Sequence, residues 1–224
     1  MNVFIGYDPR QPVAAQVLAH SIWRHALGPV SITYLCLSQL PIKRRGLTEF
    51  TYSRYLVPFL SEFHGTSIFI DSDMLCRSDL TQLFAYPLAY PEMEVFVVKH
   101  LQLYEWPSLM VFNNARCTRL TPAYIEATMN PLYDMKWAEA VGELPNEWNH
   151  LVGYDLPNPD AKLVHFTQGI PCWPETHDSE FGQAWREEAK RSMSTLSFSA
   201  IMGPSVHAES VYKRLRKEAV CQKP

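Results

Sequence analysis

The stretch Ser67-Ile68-Phe69-Ile70-Asp71-Ser72-Asp73-Met74-Leu75 sets two signals side by side, a β-branched and aromatic run and then an acidic pair. Residues 67–70 predict a buried strand, and the apolar run stops abruptly at Asp71. At the carboxyl end of a strand, an alternation of two sends Asp71 and Asp73 to the same side. Two carboxylates placed together repel unless a cation lies between them. Hard oxygen ligands suit Mg²⁺ or Mn²⁺, which keep open positions for substrate phosphates. A polar strand end entering a turn accounts for the same three residues, so the motif has to be read with its surroundings.

Toward the N-terminus, residues 3–7 form a short apolar run ended by Asp8-Pro9. Residues 13–27 space Val13, Val17, Leu18, Ile22, Trp23 and Leu27 at helical intervals, and residues 31–37 return to β-branched and apolar types. This is a βαβ unit, which implies parallel strands and a right-handed crossover. Residues 48–63 read as a helix despite Pro58, ended by Gly65. Beyond the acidic pair, 79–84 reads as a helix with Ser78 as its N-cap. Residues 95–99 and 109–112 read as strands, and 122–129 as a helix begun by Thr121-Pro122. Residues 162–166 read as a last inner strand and 181–193 as a surface helix. Such an open α/β sheet binds its ligand at the carboxyl ends of its strands.

A chain of 224 residues is read as one large domain, 1–191. The Ser-rich run at 192–199 marks a change of composition and opens a C-terminal extension over 192–224, in which 211–220 reads as a basic helix. A net charge of -3 gives no electrostatic case for nucleic acid. Met1-Asn2-Val3-Phe4-Ile5-Gly6 leads straight into a strand and lacks the basic start and apolar stretch of a signal peptide. No apolar run approaches the ~18 residues of a membrane span. The expected location is cytoplasmic, compatible with peripheral attachment to a membrane. The 5 cysteines are scattered and form no CxxC pair, so neither a disulfide framework nor a zinc cluster is expected.

Several segments fall in one familiar order: Phe50-Thr51-Tyr52-Ser53-Arg54-Tyr55-Leu56-Val57-Pro58, Ile68-Phe69-Ile70-Asp71-Ser72-Asp73-Met74-Leu75, and Asp79-Leu80 with Leu83-Phe84. Leu144-Pro145 with Trp148-Asn149, Leu163-Val164-His165-Phe166-Thr167 and Gly169-Ile170-Pro171-Cys172-Trp173 follow. Up to Trp173 the chain resembles a small, bacterial-type member of glycosyltransferase family 8, the group of glycogenin and the lipopolysaccharide galactosyltransferases. The resemblance implies an α/β GT-A fold, a Rossmann-like nucleotide-diphospho-sugar transferase domain with a mixed central sheet flanked by helices. It implies a metal-dependent hexosyltransferase that moves a sugar from a UDP-linked donor to a carbohydrate, lipid-linked or protein acceptor, with retention at the anomeric carbon. By position, Asp71, Asp73 and His165 answer the family's Mn²⁺ ligands, with Mg²⁺ as the alternative ion. A neutral imidazole beside two carboxylates is a sound third ligand. Apart from the resemblance, His165 reads as a core histidine.

The same resemblance places other residues on the donor. Tyr7 and Asp8 fall where the family binds the base and ribose, Ser72 and Gly169 lie within donor-contacting motifs, and Arg54 matches a basic contact to the diphosphate. Asn113 and Asn114 end the strand near the donor sugar, Asn114 also standing as a catalytic candidate. Trp148 offers a flat face to a sugar ring, and Asp134 answers the first acid of an Asp-Gln-Asp element as a second catalytic candidate. The chain departs from the family at Pro171, where a diphosphate-binding lysine is expected, and at Cys172, where a proline is. Lys99 and His100 are weaker substitutes than Arg54. Two other readings compete: a nucleotide-sugar binding protein that has lost catalysis, and a sugar nucleotidyltransferase. The latter wants a Gly-rich basic loop after the first strand, whereas Gly6-Tyr7-Asp8-Pro9-Arg10-Gln11-Pro12 has one Gly and two Pro.

Overall fold

The computed structural model describes residues 1–193 together with Glu209 and Lys213. The chain divides into two compact units, Met1–Ser192 and Met193–Pro224. The extension expected over 192–224, with its helix at 211–220, lies outside the described residues except for Ser192, Met193, Glu209 and Lys213.

In chain order the first unit contains β1 (Asn2–Gly6), α1 (Pro12–His25), β2 (Ser31–Leu35), α2 (Val57–Leu60), β3 (Thr66–Ile70), β4 (Met74–Cys76), α3 (Tyr86–Ala89), β5 (Val95–Val97), β6 (Leu109–Asn113), α4 (Pro122–Ala127), β7 (Val141–Glu143), β8 (His150–Leu151), β9 (Leu163–His165) and α5 (Gly182–Ser192), with short 3-10 turns between them. Six strands form a sheet in the order β2-β1-β3-β6-β5-β7, and β4-β9-β8 form a second, smaller sheet. The large sheet is mixed: β1 pairs in parallel with β2 and β3, whereas β6 runs antiparallel to both β3 and β5.

Strand alternation supplies both layers of core. Val3, Ile5, Ile68, Ile70 and Val111 meet Ala15, Leu18 and Ile22 of α1 on one face. Phe4, Phe69, Met110 and Phe112 meet Tyr55, Leu56 and Trp137 on the other. Each such large side chain, fully buried, contributes about 1.5–3 kcal/mol. Pro12 opens α1, where its missing N–H leaves no intrahelical bond unmade, and Arg24 and His25 sit in the last turn, where positive charge suits the helix dipole. Behind α1, Glu188 of α5 is buried to 1% exposure and takes hydrogen bonds from Arg24 Nε at 3.0–3.1 Å, with His20 Nδ1 at 2.6 Å.

Three local expectations need correction. The helix expected over 48–63 is a 3-10 turn at Ser53–Leu56 followed by the four residues of α2. Pro58 has no N–H to continue a helical ladder through the segment and sits instead in the first turn of α2. Residues 80–85 form a 3-10 turn capped by Asp79, whose side chain accepts from Thr81 N; Ser78 is not the cap. Residues 163–165 join the small sheet, not the large one, because their partner is β4, a three-residue strand too short to show a period of its own. No helix among the described residues is long and apolar enough to cross a membrane.

Candidate active site

β3 and β4 are joined by Asp71-Ser72-Asp73, so the acidic motif is the first crossing of the chain from the large sheet to the small one. Asp71 N donates to Ser108 O at 2.9 Å, which ties the motif to the start of β6. β4 pairs antiparallel with β9 so that Met74 lies opposite His165, and Phe166 N donates to Asp73 O at 3.0 Å. This pairing closes a gap of 92 residues and sets the imidazole beside the acids. One ligand atom each from Asp71, Asp73 and His165 lies within 4.8 Å of the other two.

The electrostatics of the cluster are those of a site short of positive charge. Arg54 Nη2 stands 3.2 Å from Asp71 Oδ1, and His165 Nε2 stands 3.5 Å from Asp73 Oδ1. Neither contact has hydrogen-bond geometry: Asp71 Oδ1, Asp73 Oδ1 and His165 Nδ1 are buried with no hydrogen-bond partner. Buried polar atoms are nearly always paired, so the two orphaned carboxylate oxygens, Asp71 Oδ1 and Asp73 Oδ1, call for a partner beside the imidazole. Burial pushes the Asp71 carboxyl up to about 7, with Arg54 pulling the other way. Burial acts on Asp73 in the same direction and is the largest single influence, but His165, a backbone hydrogen bond and Arg54 together hold the carboxyl below its ordinary value. The reciprocal pull of Asp73 raises His165 against its own burial. Two carboxylates and an imidazole are a donor set that suits a divalent cation, and the two orphaned oxygens fit such an ion.

Two cavities meet at Asp73, both walled by Leu47, Thr48 and Phe50. One, of about 350 Å³, has Asp71, His165, Arg54 and Glu105 among its walls together with Tyr52, Tyr55, Tyr104 and Tyr133. The other, of about 330 Å³, reaches Asp8, Arg10, Ser72 and Trp173. Phe50 can close against the end of β1 because residue 6 is glycine: a Cβ there would come within 2.5 Å of the ring.

The remaining site residues expected from sequence divide sharply. Ser72 is buried on the second cavity, and Asp8 also lines it, but both oxygens of the Asp8 carboxylate are taken by Arg10. Tyr7 lines neither cavity and packs against Tyr34, ring centroids 5.9 Å apart. Asn113 and Asn114 lie at the wrong end of the sheet. β6 runs antiparallel to β3, so Asn113 pairs with Thr66 while Leu109 pairs with Ile70, next to the acids. Asn114 is fully buried and donates to His64 O and Ser67 Oγ. Trp148 is 2% exposed, a core residue with Lys162 over its ring, and presents no face to a sugar. Asp134 pairs with Lys136 at 2.8 Å and lies off the cavity wall that its neighbours Leu132 and Tyr133 form. Gly169 lines a separate cavity of about 540 Å³ that includes none of the three candidate ligands, and its φ of +111° marks a turn open to glycine.

Glu105 is the site residue that the sequence did not single out. Its Oε2 lies 3.7 Å from His165 Nδ1, and burial raises its carboxyl above the ordinary value. It precedes β6, and the start of an antiparallel strand lies beside the end of its parallel-running neighbour; that topology was the missing signal.

No family model matches the chain. Among solved structures it is similar to WbbM, a bifunctional glycosyltransferase (TM-score 0.63, 18% identity, 96% of this chain and 51% of that one). It is similar to LgtC (TM-score 0.61, 12% identity, 89% of this chain and 99% of that one). It is also similar to the glycosyltransferase GlyE of Streptococcus pneumoniae TIGR4 (TM-score 0.63, 17% identity, 90% and 62%). The chain thus spans about half the length of the WbbM chain, and the shared fold is the GT-A arrangement of a mixed sheet between helices. In sequence it is 30% identical to Protein CDI of Arabidopsis thaliana, over 84% of this chain and 85% of that protein. On that identity and coverage, the chain belongs to the family of Protein CDI.

Proposed function

We propose that the protein is a metal-dependent glycosyltransferase of the family 8 type, moving a hexose from a UDP-linked donor to an acceptor with retention at the anomeric carbon. One observation carries this reading: one orphaned carboxylate oxygen each from Asp71 and Asp73 lies beside the imidazole of His165 on the wall of a cavity lined by four tyrosines. The fold shared with WbbM, LgtC and GlyE supports it, and LgtC has been seen in complex with donor and acceptor sugar analogues. When bound, Mn²⁺ or Mg²⁺ would supply a Lewis acid for the charge that develops on a departing diphosphate.

The chain's own residues divide the remaining work. Asp71, Asp73 and His165 would hold the ion, and Arg54, 7% exposed between the rings of Phe50 and Phe69, offsets the second carboxylate charge. Glu105 faces Nδ1 of His165 and so leaves Nε2, the atom nearer Asp73, free to serve a cation, the role that carboxylates behind metal-binding histidines play. Tyr52, Tyr104 and Tyr133 offer apolar ring faces and hydroxyls, which suit the two sides of a pyranose.

A donor-binding protein without turnover is the second reading, favoured by the pairing of Asp134 with Lys136 away from the cavity wall. Hydrolysis of UDP-sugars in Mn²⁺ separates the two. Slow release of UDP that stops on adding EDTA, and is lost in Asp73→Ala, supports the transferase. Release that survives chelation and the substitution rules out the metal clamp. Tight donor binding with no release against any acceptor supports the binding protein.

A further inference from the structure

Pro171 stands where the family resemblance expects a lysine on the diphosphate, and the structure disqualifies the first substitute. Arg54 is committed: Nη2 faces Asp71, Nε donates to Phe50 O at 3.2 Å, and the side chain is buried between two rings. Turning it toward a phosphate would leave a buried carboxylate unbalanced. Lys99 lines neither cavity and lies 3.8 Å from Glu143.

The cavity that reaches Ser72 and Asp73 from the β1 side has one cationic side chain among its described lining residues, Arg10. This side chain is 66% exposed, yet its guanidinium is fixed along one edge. Nε donates to Asp8 Oδ1 at 2.9 Å, and Nη2 donates to Asp8 Oδ2 at 2.5 Å and to Leu47 O at 3.1 Å. Among the described residues Nη1 makes no hydrogen bond. Asp8 is itself anchored, 6% exposed just past the end of β1. A guanidinium gripped on one edge by a carboxylate keeps its charge and offers its other edge in a set orientation, so less side-chain freedom is lost when an anion binds.

We propose that Arg10, positioned by Asp8, is the residue that binds the donor diphosphate in this chain. Asp8 then serves the phosphate through Arg10, and its carboxylate is not the reader of the base. This rests on the nucleotide-sugar reading above, and the experiment separates the two.

The test is calorimetric titration of UDP in Mn²⁺, with uridine measured by competition, for wild type, Arg10→Ala, Arg10→Lys, Asp8→Asn and the Asp8→Asn/Arg10→Ala pair. UDP affinity is expected to fall about tenfold in Arg10→Ala, the scale of one charge-assisted hydrogen bond. Arg10→Lys, which keeps the charge and loses the fork, falls between. Asp8→Asn weakens UDP, the pair is no worse than Arg10→Ala alone, and uridine is unaffected throughout. Wild-type UDP affinity in Arg10→Ala, or a loss of uridine binding in Asp8→Asn, overturns the assignment of Arg10 while leaving the donor reading intact. Failure of the wild type to bind UDP in Mn²⁺ overturns both.

Discussion

At the scale of single residues, the site is a set of charges held close together on the wall of a cavity. Asp71 is pushed up to about 7 by burial, and His165 is raised by Asp73. A divalent cation competes with the protons on both groups, so binding releases protons and strengthens as pH rises. Mn²⁺ affinity should therefore climb between about pH 6 and about pH 8 and then level off, with proton release measured by titrating in buffers of different ionisation enthalpy. An affinity that is flat or falls over this interval contradicts ligation by these groups. Glu105→Gln removes the carboxylate behind His165 and should weaken Mn²⁺ about 10- to 100-fold with the fold intact. Asn114→Ala makes the opposite contrast. Its side chain donates to His64 O and Ser67 Oγ at the far end of the sheet, so the substitution should lower stability by about 1–3 kcal/mol and leave Mn²⁺ affinity unchanged. Urea unfolding and metal titration of the same sample check both halves.

At the scale of elements, what was legible in the sequence was what rests on local pattern. The run 67–70 reads as a strand because β-branched and aromatic residues pack on a pleated surface, and Thr121-Pro122 starts a helix through a hydroxyl that accepts from Tyr124 N. The acidic motif was legible for the same reason, since it interrupts an apolar run. The direction of a strand is not local. Residues 109–113 look the same whether the strand runs up or down, and only the antiparallel pairing of β6 with β3 moves Asn113 and Asn114 away from the site and brings Glu105 to it. Burial is equally non-local: Trp148 reads as a sugar platform or a core residue until its packing is known. The contact between α1 and α5 carries its own prediction. Glu188, accepting from Arg24 and facing His20, has its carboxyl held below the ordinary value against the effect of burial. A group whose folded-state pKa is depressed contributes stability above its unfolded value and loses it as pH falls through the folded one. Glu188→Gln should therefore cost about 1.5 kcal/mol at neutral pH, the low end for hydrogen bonds to a charged group because Arg24 is 41% exposed. The difference from wild type should shrink as the medium is made acidic, as read from urea midpoints. A difference independent of pH would assign the contact to packing alone.

At the scale of the whole molecule, the chain first crosses from the large sheet to the small one at Asp71-Ser72-Asp73. The large sheet supplies the acids from the end of β3, and the small sheet supplies His165 through the pairing of β4 with β9. Phe50 walls both cavities, and Asp73 belongs to both, so under the proposed function a donor would lie across the motif with its ends in different cavities. Such a division of labour follows from the chain path and from no short segment of it, which is why the sequence pointed to the candidate ligands and not to the walls. Binding of Mn²⁺ followed by loss of its free-ion paramagnetic resonance signal puts the metal claim to the most direct test. Wild-type protein should take up one ion per chain, and Asp73→Ala and His165→Ala should lose that ion while unfolding as cooperatively as the wild type. Absence of stoichiometric uptake by the wild type, or undiminished uptake by Asp73→Ala, would contradict a metal site at Asp71, Asp73 and His165.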